Sequence, residues 1–287
     1  MATLTEPTVA PTELATARRS SAAASWAAFR ALLLRDFTVL RKNLAEFIPR
    51  TVLQPFLLVF VFTYVFPKIG QGIGGGGTDG ASESAFATLL VAGVVGVTIL
   101  FQGIQAVALP MVQEFGFTKE IEDRVLAPLP VWLVAMGKVA SGAIQGLIAA
   151  VIVFPIAAVV PASPVHLKVS WLVLLTLVPL VCVTASAMGL MFGTLFQPRT
   201  VPMMFGVVVI PITFLGCVYY SWTSLETIRW LQIAVLANPL VYMSEGFRAA
   251  LTEADHMSLW AVYGALAGFC ALFLSVGVRG FRKRVLS

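Results

Sequence analysis

Long apolar runs separated by short polar segments dominate the pattern of this chain. A helix needs about 20 mostly apolar residues to cross the hydrocarbon core of a bilayer, and six runs meet that requirement. We therefore predict an all-α integral membrane protein with six transmembrane helices. The predicted spans are 48–66, 85–110, 132–160, 169–196, 202–222 and 257–278.

The N-terminal part of the chain has a different pattern. Residues 1–25 are rich in Ala, Thr, Ser and Pro and contain no apolar stretch, which predicts a disordered cytoplasmic tail. Over 26–46, apolar residues recur at helical spacing with basic residues beside them. This pattern predicts an amphipathic helix that lies at the membrane interface ahead of the first span. A soluble helix packed on a partner is the alternative, and the spans that follow disfavour it.

The segment 223–256, before the last predicted span, is also unusual. It contains a fourteen-residue run, WLQIAVLANPLVYM, which is broken at Asn238 and Pro239 and is too short to cross. Such runs are typical of re-entrant or extracellular helices, although an ordinary amphipathic surface helix has the same pattern. Glu245 and Arg248 follow, three residues apart, and this spacing allows them to pair on one side of a helix.

Composition agrees with a membrane location and excludes several classes of protein. Of 287 residues, 59% are hydrophobic and 11% are charged, and the mean hydropathy is +0.91. Soluble domains carry about 25% charged residues, so a water-soluble enzyme and a nucleic-acid-binding domain are both excluded. Cys182, Cys217 and Cys270 lie in apolar runs, and their number and spacing indicate core residues rather than disulfides or metal ligands.

The net charge of +5 comes from an uneven distribution of basic residues. With the N-terminus inside, fifteen of the 19 Lys and Arg fall on the inner side of the predicted spans. Cytoplasmic loops carry the excess of Lys and Arg, so we predict a multi-pass protein of the plasma (inner) membrane with both termini cytoplasmic. This asymmetry explains the basic composition without nucleic acid as a partner.

The sequence contains no motif for catalysis. It lacks G-x-x-x-x-G-K-[ST], so we expect no binding of ATP by this chain, and no other cofactor or metal. His166 and His256 stand alone, without a nucleophile pattern. An integral membrane transferase would need clustered acidic, His or Ser–Lys groups. A secondary, ion-coupled carrier would need carboxylates at mid-membrane depth, which the predicted spans lack.

A few amides lie inside the predicted spans. Gln102 and Gln105 are one turn apart and should share a helical face. Buried amides commonly bond to neighbouring helices, which we favour for Gln145, while a substrate path stays open for Gln102 and Gln105. Glycines four residues apart predict close helix contacts in three spans. These pairs are Gly142 and Gly146, Gly189 and Gly193, and Gly264 and Gly268.

The inner loop 111–131 alternates acidic and apolar residues. Phe117 and Ile121 are four residues apart and would form one apolar knob on a helix. We interpret the segment as a coupling loop that docks on a cytoplasmic partner, with its glutamates at the rim of the contact; a solvated turn is the alternative. The residues expected to make this contact are Glu114, Phe117, Glu120, Ile121 and Glu122.

From about Trp26 to Arg284 the chain resembles permease subunits of the ABC-2-type exporter family. The similar stretches are Glu114 to Glu122 followed by Pro128 and Gly137-Lys138, and Asn238-Pro239-Leu240 with Tyr242, Glu245 and Arg248. The resemblance implies a half-transporter, in which two permease subunits, identical or paralogous, form the pathway. It also implies separate ATPase subunits that hold ATP and Mg and dock on the inner loop. The implied cargo is a hydrophobic or amphipathic molecule such as a drug, lipid or lipid-linked glycan.

Overall fold

The structure is a computed structural model that describes residues 21–69, 80–118, 130–160, 165, 167–197, 200, 203 and 205–286. In these ranges the regular secondary structure is entirely helical. The all-α class predicted from the apolar runs is thereby confirmed.

We number the main helices in chain order. They are α1 (Ser21–Lys42), α2 (Leu44–Phe60), α3 (Gly80–Gln113), α4 (Val131–Val159), α5 (Trp171–Leu195), α6 (Ile210–Phe214), α7 (Arg229–Ala234), α8 (Pro239–Leu251) and α9 (Leu259–Leu286). Helix α2 continues through a π-helical turn, Val61–Val65, to Phe66–Lys68. Similar turns extend α3 over Glu114–Thr118 and precede α6 over Phe205–Val209. Short 3₁₀ turns, Thr223–Thr227 and Val235–Ala237, flank α7.

Five of the described helices, α2, α3, α4, α5 and α9, are long and apolar enough to cross a membrane. The predicted span 202–222 contains only a shorter apolar helix, which ends at Phe214. The chain turns after it: Cys217 has a φ of 52°, which a right-handed helix does not allow. The preceding residue, Gly216, lies against Leu240, where an added Cβ would come within 2.4 Å of the leucine Cδ2.

Helices α3 and α5 form the centre of the bundle. In the most apolar part of α3, 72% of the residues are buried, against 22% in α2 and in α9. Glycine permits the close approach of α3 and α5, since a Cβ on Gly189 would lie 2.9 Å from the Cα of Ile104. The pairs at Gly142 and at Gly189 thus lie in close contacts, as predicted. Gly264 and Gly268 do not, because no described atom lies within 4 Å of a Cβ there.

Helix α1 lies at the end of the bundle where α3 and α9 also end, and we call this the α1 end. Its Ala28 and Leu32 contact a buried cluster that includes Val134 and Phe281. Among the described residues the helix covers Ser21–Lys42 and is followed by a turn at Asn43, where the predicted helix was 26–46. Large apolar side chains on its other face are exposed, which suits a helix at a lipid interface.

Exposed tryptophans lie near both ends of the bundle. Trp171 and Trp260 begin α5 and α9 at the end opposite α1, and they are 68% and 92% exposed. Trp26 and Trp132 are exposed near the α1 end. Tryptophan is enriched at membrane–water interfaces, so these side chains mark the two edges of an apolar belt.

Candidate functional site

A polar cavity lies at the α1 end, between α1, α2, α3 and α4. Its volume is about 380 Å³, which falls within the range of roughly 300–1,000 Å³ that is typical of small-molecule sites. All four helices contribute polar side chains to its wall, although the surrounding bundle is apolar. The residues most important for its chemistry are Arg50, Gln102, Gln105, Glu114, Lys138 and Gln145.

Gln105 bonds to an arginine on the neighbouring helix. Arg50 donates from Nε to Gln105 Oε1 at 2.9 Å, and its Nη2 donates to the same oxygen. A guanidinium has five N–H donors, so three make no bond to the described chain. No carboxylate of the described residues lies within ion-pair distance of Arg50. The Arg50 side chain therefore presents a positive charge at the cavity wall.

Gln102 links three helices. Its Oε1 accepts a hydrogen bond from Thr51 Oγ1 at 3.3 Å, and its Nε2 donates to Gln145 Oε1 over a longer distance of 3.5 Å. Gln102 is buried and Gln145 is half-buried. Both amides thus bond between helices and also line the cavity, so the two roles considered for them from the sequence are compatible.

Glu114 and Lys138 form a buried ion pair between the end of α3 and the first turns of α4. The sequence placed Glu114 at the rim of a contact with a partner. In the structure it lies inside the subunit, because the helix continues to Thr118 instead of ending near 111. Burial of a charge is costly unless a partner compensates it, and Lys138 supplies that partner.

Glu120, Ile121 and Glu122, together with the side chain of Phe117, lie outside the described residues. The role assigned to them in coupling stays a prediction.

Two cavity residues, Arg50 and Lys138, are not among the site residues predicted from the sequence, and Lys138 enters there only through the Gly137-Lys138 pair of the family resemblance. Lys138 lies within the predicted span 132–160, and an ionisable residue inside a span is itself a signal of function. Arg50 lies just inside the span 48–66, where it was counted only as a basic residue of the inner side. Its pairing with Gln105 joins residues that are 55 positions apart, so local pattern could not reveal it.

The Asn238–Pro239 motif forms the start of α8. Asn238 Oδ1 accepts a hydrogen bond from the backbone N–H of Leu240 at 2.9 Å, and Pro239 occupies the first helical position. The other side-chain group, Nδ2, donates to the carbonyl of Ile212 at 2.7 Å. The motif therefore both caps α8 and attaches it to α6. All residues of Pro239–Leu251 are buried, which excludes a surface helix.

Glu245 and Arg248 form an ion pair that is fully buried in α8. The two carboxylate oxygens of Glu245 also accept hydrogen bonds from the N–H groups of Trp222 and Met257, each at 2.9 Å. Arg248 Nη2 donates to the carbonyl of Cys217 at 3.1 Å. The pair therefore holds the turn after α6 and the segment before α9 against α8. Its role in the described structure is to organise the fold.

Comparison with known proteins agrees with this architecture. The family model for the ABC-2 type transporter matches residues 27–252, which include the cavity and the α8 motif. The chain is also similar to the inner membrane transport permease YadH of Escherichia coli (strain K12) and of Shigella flexneri, with 33% identity over 159 residues. That alignment covers 55% of this chain and 60% of each relative, so the chain spans about three fifths of the curated relatives it matches.

The family match also confirms the resemblance that the Glu114 and Asn238 segments indicated, since both lie within the matched residues. This chain belongs to the ABC-2 type transporter family.

Proposed function

We propose that this chain is the permease subunit of an ATP-driven exporter in the plasma (inner) membrane. The observation that carries the proposal is the polar cavity at the α1 end of an apolar bundle, in a member of the ABC-2 type transporter family. The name of the relatives, inner membrane transport permease, supports the location. The expected cargo is a hydrophobic or amphipathic molecule that leaves the cytoplasm.

The cavity offers both kinds of surface that such a cargo needs. The amides of Gln102 and Gln105 provide hydrogen-bonding groups, and Phe47 and Leu109 line the same space with apolar surface. A second copy or a paralogue completes the pathway in this proposal. The α1 end faces the cytoplasm, consistent with the distribution of Lys and Arg.

ATP is hydrolysed on a separate cytoplasmic subunit in this proposal, since the chain contains no phosphate-binding loop motif. The loop between α3 and α4 contacts that subunit, with Phe117 and Ile121 as apolar anchors. The ion pair of Glu114 with Lys138 joins the two helices that the loop connects, and both residues line the cavity. A displacement of the loop would therefore move the cavity wall directly.

The test is Phe117→Ala combined with Ile121→Ala in the chain co-expressed with its proposed ATPase subunit. Buried aromatic anchors dominate interfaces of this kind, so we expect binding to weaken by at least about 2 kcal/mol, roughly thirtyfold in affinity. Co-purification of the ATPase and the ATPase activity of the complex are the measurements.

The matched control is Ile228→Ala combined with Trp230→Ala, an exposed aliphatic and aromatic pair near the opposite end of the bundle. It should leave association unchanged. If the Phe117 and Ile121 variant retains the ATPase as well as this control does, the loop does not couple the subunits.

A further inference from the structure

A second, apolar groove runs along α2 and meets the polar cavity at Arg50. Its volume is about 550 Å³, and it extends from Arg50 to Phe62 along one face of the helix. Leu53 and Leu57, which line it, are 60% and 47% exposed. The groove thus opens on the outside of the bundle, where lipid surrounds the protein.

Among the residues that the structure describes, Arg50 is the one with a charge in the wall of this groove, and it also lines the cavity. Asp36 and Glu46 line the cavity but not the groove, and neither is within ion-pair distance of Arg50. The bond to Gln105 holds the guanidinium at the junction of the two spaces. Its remaining N–H donors suit a phosphate or carboxylate, which arginine binds through two parallel hydrogen bonds.

The length of the groove fits one leaflet of a bilayer. Arg50 and Phe62 are twelve residues apart, so the helical rise between them is about 18 Å. Half of the hydrocarbon core of a bilayer is roughly 15 Å thick. Arg50 lies in the part of α2 nearest α1, so the charge is at one end of the groove, and apart from Gln54 the rest of the wall is apolar.

We propose that this groove binds an anionic lipid, with its acyl chain along α2 and its phosphate head on Arg50. The proposal rests on the proposed function and deepens it, because it names the class of cargo as an amphiphile with an anionic head. A sugar would find few polar partners in the groove. A cationic amphiphile would be repelled by Arg50. The polar cavity beside the head provides room for further groups attached to the phosphate.

The experiment measures lipid binding to the purified chain by native mass spectrometry, without an ATPase. Dipalmitoyl phosphatidic acid and dipalmitoyl phosphatidylcholine are added separately to the delipidated protein. We expect the wild type to bind phosphatidic acid about tenfold more tightly, equivalent to about 1.4 kcal/mol. Arg50→Gln should remove this preference, and Leu57→Trp should weaken binding of phosphatidic acid by filling the groove.

Arg279→Gln is the matched control, since Arg279 is exposed in the final turns of α9 and lines neither space. It should keep the wild-type preference. Inorganic phosphate should not displace phosphatidic acid, because it has no tail to occupy the groove. Thermal unfolding of each variant shows whether the fold is retained.

Four results would overturn the proposal. Equal affinity for both lipids in the wild type would mean that only annular lipid occupies the groove. If Arg50→Gln and Arg279→Gln show the same lipid preference, the lipid head does not bind Arg50. Displacement of phosphatidic acid by inorganic phosphate would contradict a lipid site in the same way. Disulfide formation between two copies of a Leu57→Cys variant would show that a second copy covers the groove. If the chain binds phosphatidic acid as expected but exports no substrate, the proposed function is contradicted and the lipid site is not.

Discussion

At the residue scale, the side chains of Glu245 and Arg248 have no exposed surface, yet both are charged. Removing two charges from water costs several kcal/mol each, and only good geometry and further hydrogen bonds offset it. Here the backbone groups of Trp222, Met257 and Cys217 provide those bonds. Removal of one partner alone should therefore lower the free energy of unfolding more than removal of both, because it leaves a buried charge without compensation.

Arg248→Met leaves the Glu245 carboxylate buried without its counter-charge, so we expect the free energy of unfolding to fall by about 3–5 kcal/mol. Thermal unfolding in detergent measures the effect. Lys168→Met is the control, since it breaks an ion pair with Glu253 in which both side chains are more than 70% exposed, at 73% and 71%. Such exposed pairs contribute little, so no measurable shift is expected there.

A double variant, Glu245→Gln with Arg248→Met, should recover part of the loss, because it removes the isolated charge. A double variant that is less stable than the wild type by the sum of the two single-variant losses would contradict this account of the pair.

At the element scale, the approach of α3 and α5 depends on positions without a side chain. An added Cβ at Gly189 would lie 2.9 Å from both the Cα and the carbonyl oxygen of Ile104, so backbone would have to move. A Cβ added at Gly142 would come within 2.6 Å of Val107 and 2.9 Å of Ser186. Interhelical contact in lipid relies on such close approach because no hydrophobic force draws the helices together.

Gly189→Ala should therefore destabilise the bundle by about 1–3 kcal/mol, the usual cost of overfilling a close contact. Gly268→Ala is the same chemical change at a helical position with no described atom within 4 Å, and alanine favours the helix by about 0.5–1 kcal/mol. Thermal unfolding midpoints should move in opposite directions. Equal shifts would show that the α3–α5 contact does not depend on Gly189.

At the scale of the whole molecule, the distribution of basic residues indicates the orientation in the membrane. The α1 end collects the basic residues of α1 and the last turns of α9, while Trp171 and Trp260 lie at the opposite end. Since Lys and Arg concentrate in cytoplasmic segments, we predict that the α1 end faces the cytoplasm.

Cysteines introduced at Glu253 and at Arg282 test this orientation, because both residues are exposed and lie at opposite ends. A membrane-impermeant maleimide added to intact cells should label Glu253→Cys and leave Arg282→Cys unlabelled. The three native cysteines are buried, so background labelling should be low. Permeabilised cells should show both labels, and labelling of Arg282→Cys in intact cells would reverse the orientation.

The features that local pattern determines were predictable from the sequence alone. The bilayer sets the length of an apolar helix, so the all-α class and the long spans follow from hydropathy. The break at Asn238 and Pro239 is equally local, because a cap and a first-turn proline act within a few residues. The family resemblance rested on the same short segments.

Tertiary structure alone decided which helical faces meet. Gly216, just after the short α6, lies against Leu240, and the buried Glu114 is compensated by Lys138, 24 positions away. Hydropathy could not show that Gly268 faces open space while Gly189 lies against a backbone, since both glycine pairs have the same spacing. Hydropathy also could not predict the hydrogen bond between Arg50 and Gln105. These pairings depend on the rotation and depth of each helix, which contacts among all the helices set together and no single segment encodes.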